Sequence, residues 1–248
     1  MRSEKMKKNS ILEKVLIFDG GLGSMLLEQG LEVGTSPEEL NLKNPHMLEK
    51  IHLAYLDAGA EVITTNTFGG NRLKLQEYGL ADQIREINLE GVRIARRAAD
   101  RFDKYVAASV GPTGEFMEPM GKLTFNDMYE IFKEQIKALI EGKPDFIVLE
   151  TFHDLGEIRA ALLAARDLCD IPVICTLTFD GDRTLTGVSA ISAAIVLESL
   201  GASAIGANCS GGPTSLFKVV EEIANNTSLP VIVQPNAGLP QWKGDKAV

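Results

Sequence analysis

The sequence predicts an α/β fold, a (β/α)8 barrel of the TIM type that lacks its eighth strand. Three observations carry this. Short β-branched runs alternate with amphipathic helical stretches from one end to the other, the pattern of a parallel sheet with right-handed crossovers. Nearly every such run ends in polar or glycine residues, as a barrel with its site at the strand C-termini requires. The glycine-rich phosphate fingerprint of an open dinucleotide sheet is missing. Gly20-Gly21-Leu22-Gly23 is the nearest approach to it and lacks the later spaced glycine.

Seven strands are expected, at 15–18, 61–65, 105–109, 146–149, 172–178, 204–207 and 230–233. Their near-continuous apolar character fits burial on both faces. Between them, spacings of three and four residues place apolar side chains on one helical face. In 85–102 the stripe is Ile87, Ile94, Ala98 and Phe102, with arginines opposite. In 126–141 it is Met128, Phe132, Ile136 and Leu139. In 154–168 it is Leu155, Ile158, Leu162 and Ala165, with Asp154 as cap. In 213–224 it is Leu216, Val219, Val220 and Ile223. Gly59, Gly142 and Gly201 are expected in left-handed helix caps. The charges of the PEEL and FNDMYE segments read as solvated helix starts.

The chain has 248 residues, 45% of them apolar, enough for one large core, and no low-complexity linker divides it. Residues 11–248 are therefore expected to form one domain. Residues 1–10, with the basic cluster MRSEKMKK and no apolar stretch after it, read as a frayed, solvated terminus rather than a targeting signal. Acidic residues outnumber basic ones by 34 to 25, for a formal charge of −9. That balance disfavours nucleic-acid or anionic-membrane partners. No run approaches the roughly 18 apolar residues of a membrane span, and the expected location is the cytoplasm. Cys169, Cys175 and Cys209 are odd in number and widely spaced, which argues against a disulfide framework and for free thiols.

On a barrel the strand ends converge on one mouth. They bring together Asp19-Gly20-Gly21, Asn66-Thr67, Glu150-Thr151, Asn208-Cys209-Ser210 and Asn236-Ala237-Gly238. Two carboxylates among amides, hydroxyls and glycines suit a zwitterionic amino acid, with acids for the ammonium and exposed backbone N–H groups for the carboxylate. Each residue also has a structural reading. Asp19 serves equally as a turn former. Cys209 reads as a small buried hydrophobe or as a ligand. Cys175 and Cys169 read as packing residues, His46 and His52 as surface or packing residues of a helix, and His153 as a rim residue. A Schiff-base aldolase would need a lysine at a strand end, and these ends contain none.

The segments FDGGLGSML, GAEVITTNTFGGNRLKL, SVGPTGE, FIVLETFHDLGEIRAAL, LTFDGDRTLTG, IGANCSGGP and VQPNAG follow one another in register. In that order they resemble the homocysteine S-methyltransferase family, in particular the N-terminal homocysteine module of cobalamin-dependent methionine synthases. The resemblance implies a methyltransferase of methionine biosynthesis, in which a zinc-activated homocysteine thiolate accepts a methyl group. It implies that Asp19 and Glu150 grip the ammonium, that Gly20, Asn66, Thr67 and Asn236 line the pocket, and that Cys209 is a zinc ligand. The family's other two ligands are adjacent cysteines after an eighth strand, and the sequence has no paired cysteine. The expectation is therefore a C-terminally incomplete barrel with one of three zinc ligands. The methyl donor, methylcobalamin or a methyltetrahydrofolate-derived methyl, is expected on separate cobalamin- and folate-binding modules, because no Asp-x-His-x-x-Gly loop is present. The alternative is a non-catalytic or inactive amino-acid-binding barrel.

Overall fold

The computed structural model describes residues 12, 14–32, 34–238, 242–243 and 246–247. The expectation for residues 1–10 lies outside them. Six parallel strands pair in strict sequence order: β1 (Val62–Thr64), β2 (Tyr105–Val110), β3 (Phe146–Phe152), β4 (Val173–Leu177), β5 (Ala204–Asn208) and β6 (Val231–Gln234). A doubly wound sheet would reverse its order partway, so consecutive order marks the singly wound barrel class. Helices α1 (Leu22–Glu28), α2 (Leu40–Lys43) and α3 (Pro45–Asp57) precede β1. The crossovers carry α4 (Arg72–Glu77) with α5 (Ile84–Asp100), α6 (Phe125–Glu141), α7 (Leu155–Leu168), α8 (Ala190–Ser199) and α9 (Pro213–Asn225). A two-strand antiparallel hairpin, β7 (Trp242–Lys243) with β8 (Lys246–Ala247), follows β6. No described helix is long and apolar enough to cross a membrane.

Strand alternation divides the core. Val62, Ala107, Phe146, Val148, Ile174 and Ala204 fill the barrel interior, with Leu16, Phe18, Tyr105 and Ile232 against them. Phe146 meets Phe18 and Tyr105 at ring-centroid distances of 6.5 and 6.0 Å. The alternate residues, among them Ile63, Val106, Ile147, Leu149, Cys175 and Ile205, face the helices. Every apolar residue predicted for the α6 stripe is fully buried. Following the inward parity toward the strand C-termini gives Thr64, Ser109, Glu150, Thr176, Asn208 and Gln234. The interior therefore changes from an apolar floor to a polar layer just below the mouth. Gly206 lies on this inner face where backbones approach closely, and a Cβ there would sit 1.7 Å from the Ile232 carbonyl oxygen.

The helix ends follow side-chain chemistry. Thr124 and Asp127 form a capping box at α6, and the Asp154 side chain accepts from the Glu157 N–H at α7. Arg96 on α5 pairs with Asp145 at 2.6 Å. Asp145 also accepts from the Val106 N–H, which ties this helix to the lead-in of β3.

Three expectations change. The strand at 15–18 is reduced to a bridge, Phe18 with Val62. Ile17 O accepts from the Glu61 and Val62 amides, while Val15 and Ile17 remain 93% and 60% exposed. Without a covering layer on their outer face, these two residues gain little from extending the ladder. Gly142 caps α6 with φ −76°, and the left-handed turn falls on Lys143 at φ 60°. In the PEEL segment Glu38 is buried rather than solvated. Its carboxylate accepts from the Gly69 N–H at 2.7 Å and from Ser36 Oγ at 2.8 Å, pinning the loop that follows β1.

Candidate active site

The mouth is built from strand ends. Asp19, 8% exposed, follows the Phe18 bridge, and its N–H donates to Val62 O. Its carboxylate accepts from the Thr64 N–H at 2.8 Å and from Thr64 Oγ1 at 2.9 Å. Through these bonds the Asp19 side chain reaches across to β1. Burial raises its pKa to about 7. The two Thr64 bonds pull it down, and the charge of Glu150 pushes it up again. Glu150, the last inward residue of β3, is likewise raised by burial and partly held down by its bond from Ser109 Oγ at 2.5 Å. Burial and mutual repulsion thus disfavour the ionised form of Asp19, and no basic side chain among the described residues is bonded to either acid.

Cys209 follows β5 and is exposed. Its thiol is raised by burial, lowered by a hydrogen bond with Thr151 and raised by the nearby charge of Glu150. The three residues therefore share one neighbourhood. Two residues here have left-handed backbones. Thr151 has φ 63° and Cys209 φ 52°, a rare conformation for a β-branched residue and one that costs about 1–3 kcal/mol. Register slips within β3 between Leu149 and Phe152. The Asn208 side chain holds the bulge from both sides, accepting from the Thr151 N–H at 3.0 Å and donating to Thr151 Oγ1 at 2.7 Å. Ser210 Oγ accepts from the Phe179 N–H at 2.7 Å and donates to Asn208 O at 2.8 Å, which ties the loops after β4 and β5 together.

The remaining predicted residues divide. Gly20 is exposed beside Asp19, and a Cβ there would lie 3.0 Å from Tyr55 Oη, a tight contact with the tip of that side chain. The Asn66 amide donates to Pro37 O at 2.6 Å and to Asn41 Oδ1 at 3.0 Å. Both its hydrogens are taken, leaving Oδ1. Thr67 has no exposed surface, and its hydroxyl donates to Ser109 O at 2.7 Å. It stands behind the wall rather than in it. Asn236 follows β6, with its N–H donating to Gly211 O at 2.8 Å. Cys175 is fully buried and Cys169 ends α7, both consistent with packing.

Sequence reasoning missed several contributors. Ser109 shares its inward parity with Ala107, a signal that strand alternation offered. Tyr55 Oη donates to Gly21 O at 3.2 Å, and its pKa is raised by burial and then by Asp19. No spacing rule announces this contact. The polar layer also carries two buried atoms with no hydrogen-bond partner among the described residues, Thr176 Oγ1 and Gln234 Oε1.

A catalytic zinc takes three ligands from its protein. Among the described residues no group of three His, Cys, Asp or Glu side chains is placed to hold a metal ion. Cys209 is the one thiol at the mouth. The described residues therefore do not fit a complete zinc site.

Comparison with known proteins bears on the family and the fold. The profile of the family described as homocysteine S-methyltransferase matches residues 16–248. The methionine synthase of Mycobacterium leprae (strain TN) is 34% identical over 250 residues, covering 93% of this chain and 20% of that protein. The methionine synthase of Mycobacterium tuberculosis (strain ATCC 25618 / H37Rv) is 34% identical over 245 residues, covering 92% and 20%. The chain thus spans about one fifth of the length of these relatives. The metallated form of the homocysteine methyltransferase MmuM from Escherichia coli superposes with a TM-score of 0.83 at 21% identity, over 92% of this chain and 86% of that one. At that identity the likeness speaks for the barrel fold alone. The profile match, which spans nearly the whole chain, carries the assignment: this chain belongs to the homocysteine S-methyltransferase family.

Proposed function

We propose that residues 11–248 act as one domain that binds homocysteine at the strand-end mouth and presents its sulfur for methylation to methionine. The observation that carries this is the nearness of Asp19 and Glu150, two carboxyls at the mouth whose charges repel, with Glu150 also close to the Cys209 thiol. An ammonium set between them relieves that repulsion and offers donors to both. In this reading the Gly20 backbone and Asn66 Oδ1 serve the rest of the amino-acid head, and Asn236 flanks the sulfur. The thiolate attacks the methyl carbon in line, so the new C–S bond forms as the donor's bond to that carbon breaks.

The family resemblance supports zinc activation of the thiol. Coordination removes the thiol proton at neutral pH. Cys209 is the ligand proposed here, and the other two would come from outside the described residues, so no step above is routed through the metal. Methylcobalamin, or a methyltetrahydrofolate-derived methyl, is the proposed donor, carried on separate modules. Support for this comes from relatives called methionine synthase that are about five times as long.

One observation favours a second reading, an amino-acid-binding barrel without catalysis: the described residues lack a three-ligand cluster. Calorimetry with homocysteine, with and without zinc, separates the two. The methyltransferase reading expects zinc-dependent binding, and the binding-module reading expects binding that ignores zinc. A pH series adds a further check. Asp19 must be ionised to pair with the ammonium and titrates at about 7, so affinity is expected to rise about tenfold from pH 6 to pH 8. A flat profile would contradict the role given to Asp19.

A further inference from the structure

The acids of the mouth are held by neighbours, and one of those neighbours has the stronger claim to a role in recognition. Ser109 is 2% exposed on the inward face of β2. Its backbone is pinned on both sides by threonines from the segment that follows β1. The Ser109 N–H donates to Thr65 Oγ1 at 3.0 Å, and Ser109 O accepts from Thr67 Oγ1 at 2.7 Å. The two threonine hydroxyls are 2.6 Å apart. The proton order in this circuit follows from the chemistry. A hydroxyl has one hydrogen. Thr67 spends its hydrogen on a carbonyl, so it accepts from Thr65, which in turn accepts from the Ser109 amide. The circuit closes on itself and fixes the Ser109 backbone.

The Ser109 hydroxyl hydrogen is left for Glu150 Oε1, 2.5 Å away. No hydrogen bond from a described residue reaches Glu150 Oε2. One carboxylate oxygen is thus tethered into the wall of the barrel while the other is left for a ligand. Asp19 is tethered differently, with both oxygens on Thr64 of β1. Without the Ser109 tether the Glu150 carboxylate is free to rotate about its terminal torsion, which is broad and roughly two-fold in preference.

We infer that Ser109 is the positioning residue of amine recognition: by holding Glu150 Oε1 it aims Oε2 at the ligand ammonium, and Thr65 and Thr67 act through it. This inference rests on the homocysteine reading given above. It assigns Thr67 a place two bonds behind the ligand instead of in contact with it.

The test compares homocysteine with its des-amino analogue, 4-mercaptobutanoate, by titration calorimetry on the full-length protein. Ser109→Ala is expected to weaken homocysteine binding about tenfold, the size of one charge-assisted hydrogen bond, and to leave the analogue within about twofold. In a Glu150→Gln background the same Ser109→Ala change is expected to matter little, because the residue acts through Glu150. Equal losses for both ligands, or a full additional loss in the Glu150→Gln background, would overturn the inference in favour of a purely structural serine. Unchanged homocysteine binding by Ser109→Ala overturns the inference alone. A wild-type protein that binds neither ligand overturns the homocysteine reading and the inference together. Thr67→Val supplies an independent variant should Ser109→Ala fold poorly. It is expected to weaken homocysteine more than the analogue, and equal effects on the two would count against the relay.

Discussion

Replacing Asp19 with asparagine is expected to raise stability at pH 8 while removing most homocysteine binding. The carboxyl titrates at about 7 in the folded chain and at 3.8 when unperturbed. Between those values the folded state holds a proton that the unfolded state has released, so stability falls as pH rises through that window. Above it the cost is about 4 kcal/mol. Asparagine fits the same partners, with Oδ1 accepting from the Thr64 N–H and Nδ2 donating to Thr64 Oγ1. Recovery of about 2–3 kcal/mol at pH 8 is therefore expected in urea denaturation, with little change near pH 4. Homocysteine affinity is expected to fall about 30-fold or more, since an ion-paired hydrogen bond is lost. A variant less stable than wild type at pH 8 would show that Asp19 is a structural residue and not a strained site acid.

His52 produces the opposite slope. It is fully buried on α3, and neither ring nitrogen has a hydrogen-bond partner among the described residues. Burial lowers its pKa from 6.5 to about 4. Below 6.5 the unfolded chain takes up a proton that the folded chain refuses, so stability falls as pH drops toward 4, by about 3 kcal/mol in total. His52→Leu is expected to abolish this acid limb. It is also expected to add about 1–3 kcal/mol at neutral pH by removing unsatisfied polar atoms from the interior. The slopes of His52 and Asp19 oppose each other between pH 4 and 6.5, so each single substitution should expose the slope of the other. Urea midpoints measured across pH 4–8 for wild type and both variants check this. Parallel curves for the three proteins would contradict both assignments.

Much of this was legible in the sequence, for physical reasons. The barrel class showed because period-two and period-3.6 patterns report burial directly, and the buried face of α6 is the predicted stripe. Asp19, Glu150 and Cys209 were legible because strand C-termini converge in a parallel barrel. What escaped was set by tertiary contact. Glu38 looked like a solvated helix charge, yet its partner amide is 31 residues away at Gly69. Thr67 was grouped with Asn66 as a pocket-lining residue, but it is fully buried and its hydroxyl is spent on Ser109 O. The left-handed Thr151 is held by Asn208, 57 residues later, and no local propensity predicts a β-branched residue there. His52 was read as surface or packing, and its burial without a partner could not be inferred from helical position alone.

The most direct measurement is a crystal structure of the full-length protein with homocysteine bound. The ligand's ammonium nitrogen is expected within hydrogen-bond distance of both Asp19 and Glu150, on the Glu150 oxygen that Ser109 leaves open, with the sulfur toward Cys209. Homocysteine seated away from the strand ends, or with its carboxylate where the ammonium belongs, would contradict the account.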